Sequence, residues 1–281
     1  MAKIISSFNS MLDSFFFHHS LSEPSQAPRM YGPESHRQFE IIYLVEGEVK
    51  YFIEGEEFLA KTGDVIFVAP HEIHSLHIKG EINYERIVVM FDYSLIKEML
   101  SLGGISAEDS FFSTAADYRI IPRSLADKYH IKDVICEISQ LQEKDCGETL
   151  PLRFFSSVLT LVVELRKLFS TTTEAFVAPM VKDPVVKSAI EYINSHISER
   201  ISLQDIANHL YVGRSTLCHK FNRHMNISIN RYIAVKKIYH AAELIKNGMS
   251  ATEACYAVGY EHYTTFYHNY KQIIGSSPSE K

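Results

Sequence analysis

Cysteine is scarce in this sequence, and no long hydrophobic run is present. The 281 residues include four cysteines, which lie far apart and form no C-x-x-C pair. This pattern excludes a thiolate zinc knuckle and favours a reducing cytoplasm over a disulfide framework. The best apolar run, Val158–Val163, is closed by Glu164 and Arg166, well short of the roughly 18 residues of a membrane span. The N-terminus lacks the basic start and apolar stretch of a secretory signal, so we expect no leader and no membrane partner.

Composition and charge indicate a globular chain with two unlike halves. Hydrophobic residues make up 46% and charged residues 22%, which is ordinary for a folded protein, and the length predicts roughly two domains. The net charge of −6 is uneven: residues 1–182 carry 17 Lys and Arg against 26 Asp and Glu, a balance of −9, whereas residues 183–281 carry 11 against 8, a balance of +3. A basic C-terminal part on an acidic body favours an anionic partner for that part.

The segment from about Ser35 to Phe91 has the pattern of short strands. Phe39–Val45 is apolar, and the next run alternates apolar with polar residues, which is typical of a half-buried strand. Glycines punctuate the segment at close spacing. Many short strands with glycine turns predict a sandwich or a small barrel.

A helical pattern follows from about Leu125 to Phe169. Its apolar residues recur at steps of three and four, and such a stripe must be covered by something. Two alternatives stay open: the stripe packs against the chain's own strands, or it also contacts a partner subunit through an antiparallel helix pair.

The strongest signal is an internal repeat in the last hundred residues. Ile206–Ser228 aligns with Ala254–Ser277 at an offset of 49 residues through most of the match. Each copy has a small residue on a short helix, Ala207 or Cys255, then a glycine turn and a second amphipathic helix. This is the anatomy of a helix-turn-helix unit, in which the small residue allows close crossing and glycine, at Val212-Gly213 and Gly259, supplies a left-handed turn.

Start signals and a spacer accompany the two copies. Ser202-x-x-Asp205 and Ser250-x-x-Glu253 have the spacing of capping boxes, and Ile229–Ile245 predicts one long helix between the copies. Two such units on a rigid spacer can enter successive major grooves of B-DNA, about 34 Å apart. The candidates for neutralising phosphates are Lys220, Arg223, Arg231, Lys236, Lys237 and Lys271, with Arg214 beside them.

The residues of this region resemble the AraC/XylS family of bacterial transcription regulators. The resemblance rests on Ile206-Ala207, Leu217–Phe221, Tyr232, Ala241–Ile245, Gly259-Tyr260, Phe266, Tyr270-Lys271 and Gly275–Pro278. It implies that each chain inserts two recognition helices into adjacent major-groove segments. Carried over to this sequence, the base-facing residues are Arg214, Ser215, Thr216, Cys218, His219 and Asn222 in the first unit, and His262, Tyr263, Thr264, Tyr267 and His268 in the second.

Three positions depart from that family pattern. Histidine stands at 219 and 268, where arginine is usual, and a neutral histidine cannot grip guanine bidentately as arginine does. Asn226 replaces a usual glycine, but asparagine tolerates the same left-handed conformation.

The span from His36 to His74 resembles the cupin half-barrel that precedes such DNA-binding domains. A period-two strand would place His36, Gln38 and Glu40 on one face, with His74 closing a ring. Metal-binding cupins usually carry H-x-H followed by a glutamate, which here would fall at Ile42 or Tyr43, so we expect no metal and no cofactor. We predict instead an effector pocket, lined by His36, Gln38, Tyr43, His74 and Arg86.

Together these observations predict an α+β fold with two domains: an N-terminal cupin-like β-barrel with a helical dimerisation region, and a C-terminal all-α domain. The expected boundaries are an N-terminal arm at 1–33, a barrel at 34–122, the helical region at 123–170, a linker at 171–184 and the DNA-binding domain at 185–281, with helix-turn-helix units at about 202–223 and 250–272.

The predicted function is that of a non-enzymatic, ligand-responsive transcription regulator. Its expected partners are double-stranded DNA, a small-molecule effector such as a sugar, a second copy of the chain and RNA polymerase. The alternative is a metal-dependent cupin isomerase or dioxygenase with a helical appendage, which requires a complete set of metal ligands in the barrel.

Overall fold

A computed structural model describes residues 3–9, 15–24, 30–104, 119–144, 149–171, 176–177, 179 and 181–279. The chain divides into an N-terminal unit, residues 1–53 and 57–180, and a C-terminal unit, residues 181–281 together with the short turn Glu54–Glu56. The first is rich in sheet and the second is helical, so the predicted two-domain α+β fold class is confirmed.

The N-terminal unit contains ten strands and four helices among its described residues. The strands are β1 (Lys3–Asn9), β2 (Phe15–Ser22), β3 (Met30–Glu34), β4 (Phe39–Glu46), β5 (Glu48–Ile53), β6 (Glu56–Lys61), β7 (Val65–Val68), β8 (His74–Ile78), β9 (Tyr84–Phe91) and β10 (Ile120–Ile121). The helices are α1 (Tyr93–Leu102), α2 (Arg123–Lys128), α3 (Ile131–Lys144) and α4 (Leu150–Thr171).

These strands form two sheets. One has the order β1-β2-β9-β4-β7-β10, and the other runs β6-β5-β8-β3 within this unit. In the first sheet β4 pairs antiparallel with both β9 and β7, so it lies in the middle. Glu40 is the single charged residue in the buried part of β4.

Both faces of the six-stranded sheet are covered, each by a different core. Alternate residues of β4, Ile42 and Leu44, join Tyr51, Tyr84 and Leu76 in a core between the two sheets. The residues between them face the opposite way and pack against the helices. A strand covered on both faces is apolar throughout, which is the pattern that the sequence shows for Phe39–Val45.

The predicted helical stripe packs against the chain's own sheet. Ile131, Ile135 and Ile138 of α3, with Val158 and Leu161 of α4, are buried in one core with Phe15 and Phe17 of β2 and their neighbours. The first of the two alternatives therefore describes the structure of this unit, and a partner contact through these helices stays a prediction.

Part of the predicted N-terminal arm is sheet. Strand β1 pairs antiparallel with β2, and β2 pairs in turn with β9 along its whole length. Residues 1–2, 10–14 and 25–29 of the predicted arm lie outside the described residues, as do residues 172–175, 178 and 180 of the predicted linker.

The C-terminal unit consists of six helices after a two-residue strand. Strand β11 is Val181–Lys182, and the helices are α5 (Pro184–Ser195), α6 (Leu203–His209), α7 (Arg214–Met225), α8 (Ile229–Lys246), α9 (Ala251–Ala257) and α10 (Tyr263–Ile274). The predicted long helix is α8, whose 18 residues span about 27 Å.

The two helix-turn-helix units have the predicted local construction. Both capping boxes are present, one between Ser202 and Asp205 and the other between Ser250 and Glu253. The small residues Ala207 and Cys255 are buried, with at most 1% of their surface exposed. Leu217 and Phe221 of α7, like Phe266 and Tyr270 of α10, fill the corresponding cores. The helix-turn-helix interpretation of the repeat is therefore confirmed.

The turns of the two units differ, and the prediction for the first turn was wrong. Gly259 is left-handed with φ of 71°, but its counterpart in the first unit is Tyr211, with φ of 54°, and Gly213 has an ordinary φ of −68°. The two turns differ because neighbouring backbone crowds the second turn and leaves the first one open. A Cβ on Gly259 would lie 2.4 Å from the carbonyl oxygen of Glu199, whereas Tyr211 is 95% exposed. The α7 and α10 helices both end in left-handed residues, Asn226 and Gly275. This confirms the expectation that Asn226 adopts the conformation usual for glycine at its position.

We expect Gly259→Ala to destabilise the C-terminal unit by about 1–3 kcal/mol, because alanine is strained at positive φ and its Cβ meets the Glu199 carbonyl. Gly213→Ala is the matched control, since the nearest atom to its new Cβ is 3.8 Å away. Urea unfolding of the full chain followed by far-UV circular dichroism measures both. Equal stability of the two variants would contradict the close approach at Gly259.

Candidate DNA-binding surface and sensor site

The second helix of each unit presents a polar stripe opposite its buried one. On α7, Ser215, His219 and Asn222 share one face at steps of four and three, and all three are exposed. The offset of the repeat maps them onto Thr264, His268 and Lys271 of α10, which are also exposed. The two helices therefore expose polar stripes at matching positions, with histidine shared at the middle position and Asn222 replaced by Lys271 at the last.

The other predicted base-facing residues flank these stripes. Arg214 and Thr216 are exposed in the first turn of α7, and Cys218 is half-buried. In the second unit His262 is the exposed residue before α10, whereas Tyr263 and Tyr267 are half-buried, with ring centroids 6.4 Å apart. The side chains of both tyrosines thus lie partly against their own helix.

The predicted phosphate-binding cations have unlike surroundings. Arg223 and Lys271 are exposed. Lys220 donates to Asp183 Oδ2 over 2.8 Å, and Arg231 Nη1 donates to Gln272 Oε1 over 3.0 Å. Lys236 is half-buried, with its Nζ 5.4 Å from the centroid of the Tyr232 ring. Of this set, Arg223 and Lys271 are the cations best placed to meet a phosphate.

Lys237 does not belong to the phosphate set, which corrects the prediction for that residue. Its side chain is buried, and its ammonium donates to the carbonyl oxygens of Ile197 (3.1 Å), Glu199 and Val258. These carbonyls come from the loop before α6 and from the end of α9. Lys237 on α8 therefore ties the entry of the first unit to the turn of the second, and burial lowers its pKa to about 8.

A cluster of two histidines and a glutamate lies in the N-terminal unit. Glu40 Oε2 is 3.3 Å from His36 Nε2 and 3.2 Å from His74 Nε2, and the two imidazole centroids are 5.0 Å apart. Burial acts to raise the pKa of Glu40, but the two histidines hold it below its ordinary value. Burial acts to lower the pKa of His74, but the carboxylates of Glu34 and Glu40 outweigh burial and raise this pKa to about 10.

Arg86 provides a second polar feature between the two sheets. Its Nη1 donates to Tyr84 Oη over 3.0 Å, and its guanidinium lies 5.2 Å from the ring centroid of Tyr31 and 5.3 Å from that of Tyr84. Burial, with the charge of Arg86 beside it, lowers the pKa of His18 to about 4, so that imidazole is neutral near pH 7. The surroundings of Arg86 thus combine its guanidinium with two aromatic faces and the neutral imidazole of His18.

The five predicted pocket residues are only partly brought together. His36 and His74 meet, and Arg86 faces the same interior as Tyr84. Gln38 contributes its backbone carbonyl, which lies 2.8 Å from His36 Nδ1. Tyr43 is a correction: it packs in the core on the helix-covered face of the sheet, because residues 42 and 43 point to opposite faces of β4.

Glu40 is the residue that the predicted pocket omitted. The signal available in the sequence was a single glutamate inside the apolar run Phe39–Val45, since a charge in a buried strand must be paired; in the structure Glu40 is 8% exposed. Tyr31 and Tyr84 were also omitted, and nothing in the sequence distinguishes them from ordinary core tyrosines.

Comparison with known proteins agrees with this two-part organisation. A family model described as an AraC-like ligand binding domain matches residues 21–150, and one described as a helix-turn-helix domain matches residues 206–281. Together they span most of the chain and place a ligand-binding domain before a DNA-binding one.

Three known transcription regulators are similar to this chain over 164 to 247 residues. The uncharacterized HTH-type transcriptional regulator YdeC of Bacillus subtilis is 24% identical over 247 residues, covering 86% of this chain and 83% of the relative. The arabinose operon regulatory protein of Escherichia coli is 24% identical over 233 residues, covering 81% and 74%. The lactose operon transcription activator of Staphylococcus xylosus is 24% identical over 164 residues, covering 57% of each chain.

The fold and these similarities define a DNA-binding transcriptional regulator with an N-terminal ligand-binding domain. The chain belongs to the AraC family of transcriptional regulators. None of the helices in the described part of the chain has both the length and the apolar composition that crossing a bilayer requires.

We expect Lys237→Met to lower the free energy of unfolding of the C-terminal unit by about 3 kcal/mol, because it leaves three carbonyls without their charged donor. Lys271→Met is the control and should change it by less than about 0.5 kcal/mol, since Lys271 is exposed. Urea unfolding with a helix-sensitive signal measures the difference. If the two variants unfold alike, Lys237 does not hold the two units together.

Proposed function

We propose that this regulator inserts α7 and α10 into adjacent major-groove segments of one DNA duplex. The observation that carries the proposal is the duplicated exposed stripe, Ser215–His219–Asn222 on one helix and Thr264–His268–Lys271 on the other. Each stripe lies opposite a buried apolar stripe, so its side chains are available to the DNA, to base edges or, for Lys271, to a phosphate, while the core is kept. An α-helix fits the major groove, where every base pair has a distinct pattern of donors and acceptors.

The individual residues have different roles in this proposal. Arg214, with a forked guanidinium in the first turn of α7, is suited to guanine, and His219 and Asn222 follow it along the groove. Thr264 and His268 take the corresponding places in the second unit. Arg223 and Lys271 contact phosphates, which strengthens binding to every sequence alike.

A small molecule bound between the two sheets of the N-terminal unit modulates this binding. Arg86 supplies hydrogen-bond donors, and the rings of Tyr31 and Tyr84 supply apolar faces. Such a combination suits a sugar, and two relatives are named for the arabinose and lactose operons. The effector must bind two states of the regulator unequally, and a bound sugar raises the melting temperature of the full chain.

Two further partners complete the proposal. A second copy of the chain would double the number of recognition helices on one operator, and RNA polymerase would receive the regulatory output. Exposed apolar residues on α4, Leu152 and Val163, are compatible with contact to a second copy.

DNA-binding titrations of single variants test the docking. We expect Arg214→Ala and His219→Ala to narrow the affinity difference between the protein's own promoter region and unrelated DNA, each by roughly 1–3 kcal/mol. Lys271→Ala should weaken both DNAs alike and reduce the slope of log affinity against log salt by about 0.9. Lys61→Ala, at an exposed position of β6 in the N-terminal unit, serves as the control. Unchanged binding of all three test variants would refute the docking of α7 and α10.

A further inference from the structure

The cluster of His36, Glu40 and His74 has the geometry of a metal-binding site. One nitrogen or oxygen atom from each of the three side chains lies within 4.8 Å of the other two. The residues come from separate segments: His36 precedes β4, Glu40 lies on β4, and His74 begins β8. The two strands belong to different sheets, so the cluster joins both sheets of the N-terminal unit.

Backbone carbonyls orient both imidazoles toward the carboxylate. His36 Nδ1 is 2.8 Å from the carbonyl oxygen of Gln38, and His74 Nδ1 is 3.0 Å from that of Glu72. Because a carbonyl only accepts, each Nδ1 carries a hydrogen, and in the neutral form of each ring the lone pair of Nε2 therefore points inward. This is the outer arrangement that fixes the tautomer of metal-ligating histidines.

When both rings are neutral, three electron-pair donors converge on one space, and a metal ion bound there would replace the proton that Nε2 otherwise shares with Glu40. The His74 side chain is only 2% exposed, and its Nε2, 3.2 Å from Glu40 Oε2, lacks the geometry of a hydrogen bond to any described residue. A proton or a cation must occupy the space among the three atoms, since Glu40 and His74 are buried and acceptors that face one another there are otherwise unfavourable.

We propose that His36 Nε2, Glu40 Oε2 and His74 Nε2 bind one divalent transition-metal ion of the zinc class. Zinc bonds of about 2.0–2.1 Å around a tetrahedral centre separate the ligand atoms by roughly 3.3 Å, which matches the 3.3 Å and 3.2 Å separations from Glu40 Oε2. Two imidazoles and one carboxylate suit zinc and its neighbours and do not suit calcium or magnesium.

Glu34 is a further carboxylate beside the cluster. Its Oε1 lies 3.6 Å from His74 Nε2, and its side chain is 61% exposed. A fourth ligand would come from this carboxylate, from solvent or from a small molecule with a hydroxyl group. The inference does not depend on DNA binding, because all of its ligands lie within the N-terminal unit, and a chain with damaged recognition helices would still bind the ion.

Metal titration of the full-length, tag-free chain tests this assignment. After removal of metal with a chelator, isothermal titration with ZnCl₂ should show one equivalent that is lost, or weakened at least about 100-fold, in Glu40→Gln and His36→Gln. Cobalt(II) in place of zinc should give the intense visible absorption of a tetrahedral site in the wild-type chain. His77→Gln is the matched control, since His77 is an exposed histidine on the same strand as His74.

The opposing interpretation is an ion pair between protonated His74 and Glu40, with no metal. This interpretation predicts that the wild-type chain takes up no zinc at the cluster. A titration in which the wild-type chain binds no zinc would therefore overturn the proposal. Retention of the full equivalent in both Glu40→Gln and His36→Gln would also overturn it. Circular dichroism shows whether each variant folds, and His36→Gln, at a half-buried position, keeps the test decisive if Glu40→Gln unfolds.

Discussion

The C-terminal unit depends on one buried cation. Lys237 projects from the middle of α8 and donates to three carbonyls, two in the loop before α6 and one at the end of α9. A buried ammonium is costly unless its hydrogens are bonded, and here all three have an acceptor. Because these acceptors lie at the entry of one helix-turn-helix unit and the turn of the other, the same interaction holds both units against the long helix. A rod of about 27 Å with two fixed units has a defined spacing, which independent units on a flexible linker would lack.

The two units share their local construction and differ where their surroundings differ. Each begins with a capping box, crosses at a small buried residue and ends its second helix with a left-handed residue. The turn of the second unit approaches the Glu199 carbonyl and needs Gly259, whereas the turn of the first is exposed and accepts Tyr211. The close approach at Gly259 occurs beside the carbonyls that Lys237 binds, so the glycine and the lysine serve the same junction.

Local signals in the sequence were sufficient for much of this structure. Capping boxes, apolar periodicity and the repeat offset predicted the helices, their caps and their buried faces, because each depends on residues a few positions apart. Lys237 could not be recognised as buried, since its three acceptors come from segments that are distant in sequence. Tyr43 was assigned to the pocket for a related reason: β4 is apolar on both faces, so alternation shows which residues share a face but does not show which face is the interior.

The most direct test of the account is the spacing of the two units on DNA. A high-affinity site selected for the full chain should contain two contacted major-groove segments about one helical turn apart, near 10 base pairs. Inserting about 5 base pairs between them turns one segment to the opposite face of the duplex, so a rigid pair of units should lose nearly all specific affinity, and a 10-base-pair insertion should not restore it. Unchanged affinity after the 5-base-pair insertion would contradict a rigid spacing of α7 and α10.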